Sequence, residues 1–393
     1  MRFPARAFDD GDSGNGPSRH HFSRRRFLTG MGVAILGAGM LAPALRSAPA
    51  GGERWVSAQG DNREDFGLGW INADGAAGRK AMTGFRGHAL VQHSVRRQSI
   101  IFLARRPGTA AMEIDLRSGE VLHAFECEEG RHLFGHGCLS LDGRALFTTE
   151  ADIDRGVGKI VVRDADNYAV LQEWPSYGVG PHDAQVLPDG KTLVVANGGI
   201  LTRPRSGRKP LNLASMQSSL SYIDIGTGTL IDDYRVPESK ASIRHLDVAA
   251  DGTVAFAMQL QRQAAGHDKT VPLTGVHRPG ENLTLHNTPT VLIDRLADYV
   301  GSTAVCNESR IAGYASPRGN LAVFWHIDDG RLAGYHPLRD VCGIAVSQSR
   351  QAFVLSNSLG ELRELDMVTL QERREQRVIM PGVRWDNHLL IAS

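Results

Sequence analysis

Short apolar runs separated by polar turns recur along the chain in a fixed order. Each unit reads as an anchor residue, an apolar run, a turn, a second apolar run and a polar stop. The clearest copy is Gly180-Pro181-His182-Asp183-Ala184-Gln185-Val186-Leu187-Pro188-Asp189-Gly190, continued by Lys191-Thr192-Leu193-Val194-Val195-Ala196-Asn197. The same order returns from Gly135-His136 through Asp142-Gly143 to Glu150, and from Arg244-His245 through Asp251-Gly252 to Gln259. Runs this short with Asp-Gly at their tips predict β-hairpins. Their return every 40–63 residues marks a repeat architecture.

Seven positions are predicted to start equivalent inner strands: His88, His136, His182, His245, Ser302, Cys342 and His388. The second strands are predicted to end at Arg105, Glu150, Asn197, Gln259, Ser316 and Asn357. Third strands are expected over residues 112–116, 159–163, 219–225 and 361–366, and fourth strands over 121–125, 171–174, 231–236 and 373–378. Four short antiparallel strands per unit describe a propeller blade, so the predicted fold is all-β, a seven-bladed β-propeller over residues 51–393. After His388 only residues 389–393 remain, enough for one strand, while 54–59, 67–73 and 79–83 supply the missing three. Gln59 provides the polar stop of that last blade. Closure by both tails removes open edges. Thr288-Pro289 followed by Leu292, Leu296 and Tyr299 predicts one short helix outside the blade pattern, with proline in its first turn.

The first fifty residues stand apart. Ser23-Arg24-Arg25-Arg26-Phe27-Leu28-Thr29 matches a twin-arginine export motif, an apolar stretch follows over 30–41, and Ala42-Pro43-Ala44 and Ala48-Pro49-Ala50 offer small-residue cleavage points. Residues 1–50 are therefore read as an export signal, with the twin-arginine translocase as partner and the periplasm as destination. The apolar run is shorter than the roughly 18 residues of a membrane span, so no anchor is expected after cleavage. Removing the signal leaves 37 Lys and Arg against 40 Asp and Glu, a net charge of −3. No basic field remains to hold nucleic acid. Cys127, Cys138, Cys306 and Cys342 lack the Cys-x-x-Cys spacing of zinc knuckles or thiol oxidoreductases. Both disulfides and packed free thiols stay open for them.

Blade geometry predicts which face carries chemistry. The start of the first strand and the end of the second share one face, so the anchors should be ringed there by Gln59, Arg105, Glu150, Asn197, Gln259, Ser316 and Asn357. The longest irregular segments, 151–158, 198–218 and 260–270, decorate the same face, where function usually sits. Arg105, Arg106, Arg203, Arg205, Arg208 and Lys209 add positive charge near it. His93, His123, His267, His277, His286, His326 and His336 miss the anchor positions and are read as surface or packing residues.

Histidine makes up 15 of 393 residues, so five among seven anchors is a pattern to explain. Three readings stay open. Each imidazole bonds a neighbouring blade's backbone, or His88, His136, His182, His245 and His388 converge as metal ligands, or they meet an organic or anionic ligand. Convergent imidazoles suit iron, copper or zinc.

The chain resembles the twin-arginine-exported family filed under domain of unknown function 1513, a YVTN/WD-like propeller family. The resemblance rests on Arg86-Gly87-His88, Arg105-Arg106-Pro107-Gly108, Phe134-Gly135-His136-Gly137, Gly180-Pro181-His182 and Val195-Ala196-Asn197-Gly198-Gly199-Ile200. Leu211-Asn212-Leu213 with Met216, Ser242-Ile243-Arg244-His245-Leu246 and Ser316-Pro317-Arg318-Gly319 extend it. Arg203 stands where the family pattern has a histidine after Thr202. The resemblance implies a periplasmic propeller without an established activity, encoded beside imelysin-type and di-haem oxidoreductase-like proteins in iron-responsive clusters. Periplasmic iron-uptake proteins are its implied partners.

Together these readings favour a binding or accessory protein that handles iron or copper through the histidine face. The alternatives are a lactonase-like hydrolase, in which Glu150, Asn197 and a histidine hold a divalent ion, a redox enzyme, or a protein-interaction scaffold. Against an enzyme, the chain has no nucleophile elbow, no Cys-x-x-Cys-His site and no dinucleotide fingerprint.

Overall fold

The computed structural model describes residues 52–61, 65–73, 75, 78–207, 209–266 and 269–392. The predicted export signal at residues 1–50, Arg208 and His267 lie outside them. Seven four-stranded antiparallel sheets form the blades of a propeller, each strand bonded to the next in sequence. We number the blades by their anchors. Blade 1 comprises Gly87–Gln92, Ser99–Ala104, Ala110–Asp115 and Val121–Glu126. The inner strands of blades 2 to 6 are Arg131–Leu139, Pro181–Val186, Ala241–Val248, Ser302–Cys306 and Val341–Ser347. In blade 7, Leu390–Ala392 pairs with Arg54–Gln59, which continues to Gly67–Asn72 and Arg79–Met82. Arg54 faces Ala392 and Val56 faces Leu390, so the two tails zip into one sheet as the pattern predicts. Each inner strand packs against the next, and the last returns to the first.

Burial follows position within the blade. Second strands are largely buried, and Ser99–Ala104, Ile311–Ser316 and Ala352–Asn357 are wholly so. Outer strands face solvent on one side, and Val121–Glu126 and Leu230–Arg235 are mostly exposed. The hydrophobic effect thus acts chiefly between blades. The Phe324–Phe353 pair, 5.1 Å apart between blades 5 and 6, is one such contact.

Four details differ from the sequence reading. Residues 373–378 do not form a fourth strand: Arg374–Gln376 is a 3-10 turn and only Val378–Ile379 pairs. The segment has no apolar alternation, and its side chains bond locally instead, Arg373 to the Arg350 carbonyl at 2.6 Å and Arg377 to Glu372. Blades 4 and 5 gain outer strands, Thr274–His277 with Thr284–Leu285, and Leu321–His326 with Leu332–Pro337. Two short helices replace the single one expected. Helix α1 spans Arg262–Ala265 and α2 spans Thr290–Arg295, with Pro289 just before α2 rather than inside it. Finally, the inner strands of blades 2 and 4 begin before their anchors, at Arg131 and Ala241. Among the described residues no helix is long and apolar enough to cross a membrane. All four cysteines are buried free thiols.

Candidate metal centre

The anchors are set by irregularities in the inner strands. Pairing slips between Gly87 and Leu90, Leu133 and Gly137, Pro181 and Asp183, Ile243 and His245, and Val341 and Gly343. His88, His136, His182 and Cys342 fall inside these bulges, and Arg244 occupies the bulge beside His245. A bulge breaks the alternation of side chains and re-aims one of them, here toward the axis. Two positions need special backbone. Gly135 has φ +100°, and a Cβ there would lie 2.9 Å from His88 Cδ2. His388 itself takes φ +72°, a region side chains rarely adopt, and Ser57 Oγ donates to its carbonyl at 2.7 Å.

The five histidines of blades 1, 2, 3, 4 and 7 meet. His88 lies 4.7 Å from His136 and 4.6 Å from His388, ring centre to ring centre. His136 lies 5.0 Å from His182 and 5.3 Å from His245, and His245 lies 4.6 Å from His388. Two triads result, His88–His136–His388 and His136–His182–His245, each with its ring nitrogens within 4.8 Å of one another. His136 belongs to both. Metal–nitrogen bonds of about 2.0–2.1 Å in a tetrahedral site put ligand atoms roughly 3.3 Å apart, so ring rotations of about an ångström close either triad.

Each imidazole has a buried nitrogen with no hydrogen-bond partner: Nδ1 of His88, His182 and His245, and Nε2 of His136 and His388. Buried polar atoms are rarely left so, because desolvation is not repaid. His136 Nδ1 faces Asp183 Oδ1 at 3.2 Å. Asp183 in turn accepts from the Ala184 and Leu246 N–H groups at 2.8 and 3.0 Å. A carboxylate behind a histidine fixes its tautomer and frees the other nitrogen for a metal.

Electrostatics hold four of the imidazoles neutral, those of His88, His182, His245 and His388. Burial above all, then neighbouring imidazoles and Arg105, push His88 and His245 well below the ordinary value. For His182 the second cause is Arg244. Burial and His136 lower His388 despite Asp386. Neutral imidazole is the form that ligates. Burial, with Arg106 and Arg105 close by, brings Arg244 down to about 9. Burial alone would raise the Asp386 carboxyl, but Arg105 and Arg86 outweigh it and hold it low. Arg86 pairs with Asp386 at 2.7 Å and Arg105 at 3.8 Å.

The polar strand ends do not join the cluster. Glu150 is buried against Arg163 at 2.7 Å and accepts from Thr148. Asn197 donates to the Ser176 carbonyl and Ser221 Oγ. Asn357 donates to the Arg339 carbonyl and accepts from the Leu359 and Glu361 N–H groups. Gln59 lies over Gly69, on the next strand out. Gln259 pairs through its backbone with Tyr299. Ser316 Oγ donates to the Leu296 carbonyl. Of that ring only Arg105 acts electrostatically on the imidazoles. Asp183, Arg244 and Asp386 were missed, although each adjoins or nearly adjoins an anchor in sequence.

A family model described as "Protein of unknown function (DUF1513)" matches residues 81–392. No curated protein matches the chain. Among solved structures, hydrazine synthase of Kuenenia stuttgartiensis is similar, with a TM-score of 0.58 and 13% identity over 74% of this chain and 86% of that one. At that identity the likeness concerns the fold alone.

Proposed function

This chain belongs to the DUF1513 family, and we propose that it is a periplasmic accessory protein that binds a transition metal, iron first and copper second, through its histidine cluster. The observation that carries this reading is the set of five buried ring nitrogens without partners, gathered from five blades into two overlapping triads. Imidazoles serving only to join blades would spend those nitrogens on backbone carbonyls, as His93 does on the Ala165 carbonyl at 3.1 Å. Because both triads share His136, the cluster holds one ion at a time in a three-histidine site, or passes it between two. An all-nitrogen neutral set fits a borderline metal better than calcium or magnesium, which take oxygen ligands. Export by the twin-arginine route, which carries folded proteins, and delivery to iron-uptake proteins complete the proposal.

The test is metal content after native export. Wild-type protein should retain close to one equivalent of iron or copper, or take up one when it is added. A His136→Ala, His182→Ala double variant should retain none. Wild-type protein that carries no metal and binds none added would end this reading.

A further inference from the structure

Arg244 is a half-buried charge without a counter-charge. It occupies the bulge between Ile243 and His245 on the inner strand of blade 4. Its Nε is buried and unbonded, and its guanidinium makes no hydrogen bond or ion pair among the described residues. Other arginines of this protein behave differently. Buried Arg163 meets Glu150 at 2.7 Å, and Arg262 and Arg310 each engage aspartates. Burying the Nε–H of a guanidinium with no acceptor and no counter-charge nearby is costly. Its neighbours deepen the cost, since Arg105 and Arg106 act on it as like charges. Arg106 lies beside Phe134 and donates to Thr202 Oγ1 at 3.1 Å. The tyrosine that faces this group, Tyr299, already accepts from Asn387 at 2.7 Å.

The position matters as much as the charge. Arg244 adjoins His245 in sequence, and its strand packs against the inner strand that carries His182. A cation entering the His136–His182–His245 triad would therefore stand next to an uncompensated positive group, unless an anion came with it. One anion could answer both: a guanidinium fork takes two oxygens of a carboxylate or phosphate, and a remaining oxygen can reach the metal.

We propose that Arg244 anchors a small oxyanion beside the His136–His182–His245 triad, and that the metal is held as an oxyanion complex rather than as a bare ion. This rests on the metal reading above for its second half only, since the anion site stands on Arg244 alone. Citrate and inorganic phosphate distinguish the two sources of such oxygens.

The experiment uses the full exported protein, stripped with chelator, and its Arg244→Gln and Arg244→Lys variants. Binding of citrate and of phosphate is measured by calorimetry without metal, and metal affinity is measured with and without each anion. Wild type should bind at least one anion without metal, and Arg244→Gln should bind it on the order of tenfold more weakly. Arg244→Lys should recover part of the loss, which separates charge from misfolding. Metal affinity of wild type should rise on the order of tenfold with that anion and stay unchanged in Arg244→Gln. Wild type that binds metal tightly with no response to either anion, and binds neither anion alone, overturns this inference and leaves the metal reading standing. Anion binding without any metal uptake does the reverse.

Discussion

Acid should loosen this propeller through the histidine cluster, and by an amount the structure sets. His88, His182, His245 and His388 have folded pKa values well below 6.5, with burial as the leading cause. The unfolded chain therefore takes up protons that the fold refuses. Stability is fully present above about pH 6.5 and drains away as pH falls below it, until the folded groups themselves titrate. Between pH 7.5 and 5.5 each unfolded histidine gains about 1.4 kcal/mol from protonation, so four give a ceiling of about 5–6 kcal/mol. That is comparable to the whole stability of an ordinary domain, about 5–15 kcal/mol. The groups facing the cluster do not cancel it: Arg105, Arg106 and Arg244 oppose protonation, while Asp183 and Asp386 favour it. A His88→Gln, His245→Gln variant removes two of the four sites and relieves repulsion on the rest. Its loss between pH 7.5 and 5.5 should be smaller than that of wild type by about 2.5–3 kcal/mol. Urea unfolding of chelator-treated protein at a series of pH values gives both numbers. Equal losses in the two proteins, within about 0.5 kcal/mol, would refute the argument that these imidazoles are held neutral by the fold.

Three further outcomes follow from particular contacts. Asp183→Asn should lower metal affinity about 10–100-fold, because the carboxylate that orients His136 is gone; competition with a chromogenic chelator reads it. Gly135→Ala should weaken the His88–His136–His388 triad and cost more than about 1 kcal/mol, since its left-handed backbone resists a side chain and the new methyl meets His88; thermal melting with and without metal separates the two effects. Glu150→Gln should cost about 3–5 kcal/mol by stranding the Arg163 charge, yet leave the metal equivalents per chain unchanged, which elemental analysis checks.

The repeat was legible because hydrophobic runs and Asp-Gly turns obey local rules that survive divergence. Even the shared blade could be read, since Arg54–Gln59 and the residues after His388 each make sense only as part of a sheet. The outer strands of blade 4 were not, because Thr274–His277 has only 4 residues and its partner Thr284–Leu285 only 2. Convergence of the histidines was legible as a shared position, but the polar ring around them was not formed. Strand-end residues such as Glu150 and Asn197 turn to Arg163 and Ser221 on the next strand out. Bulges in the inner strands shift side-chain parity there, and a one-residue slip leaves no trace in composition. Asp183 and Arg244 escaped for a related reason: they matter through neighbours on other blades.

One consequence of the shared blade concerns synthesis. Leu390–Ala392 follows every other described strand in the chain, so until it is made Arg54–Gln59 has a partner on one side only and the ring cannot close. The short stretch from Asp386 to Ala392 also brings Asp386 to Arg86 and Arg105 and the fifth imidazole to its companions. Mechanical completion and assembly of the chemistry are one event. A nascent chain stalled or clipped before Asp386 would lack both, and its bare strand edge would mark it for a protease.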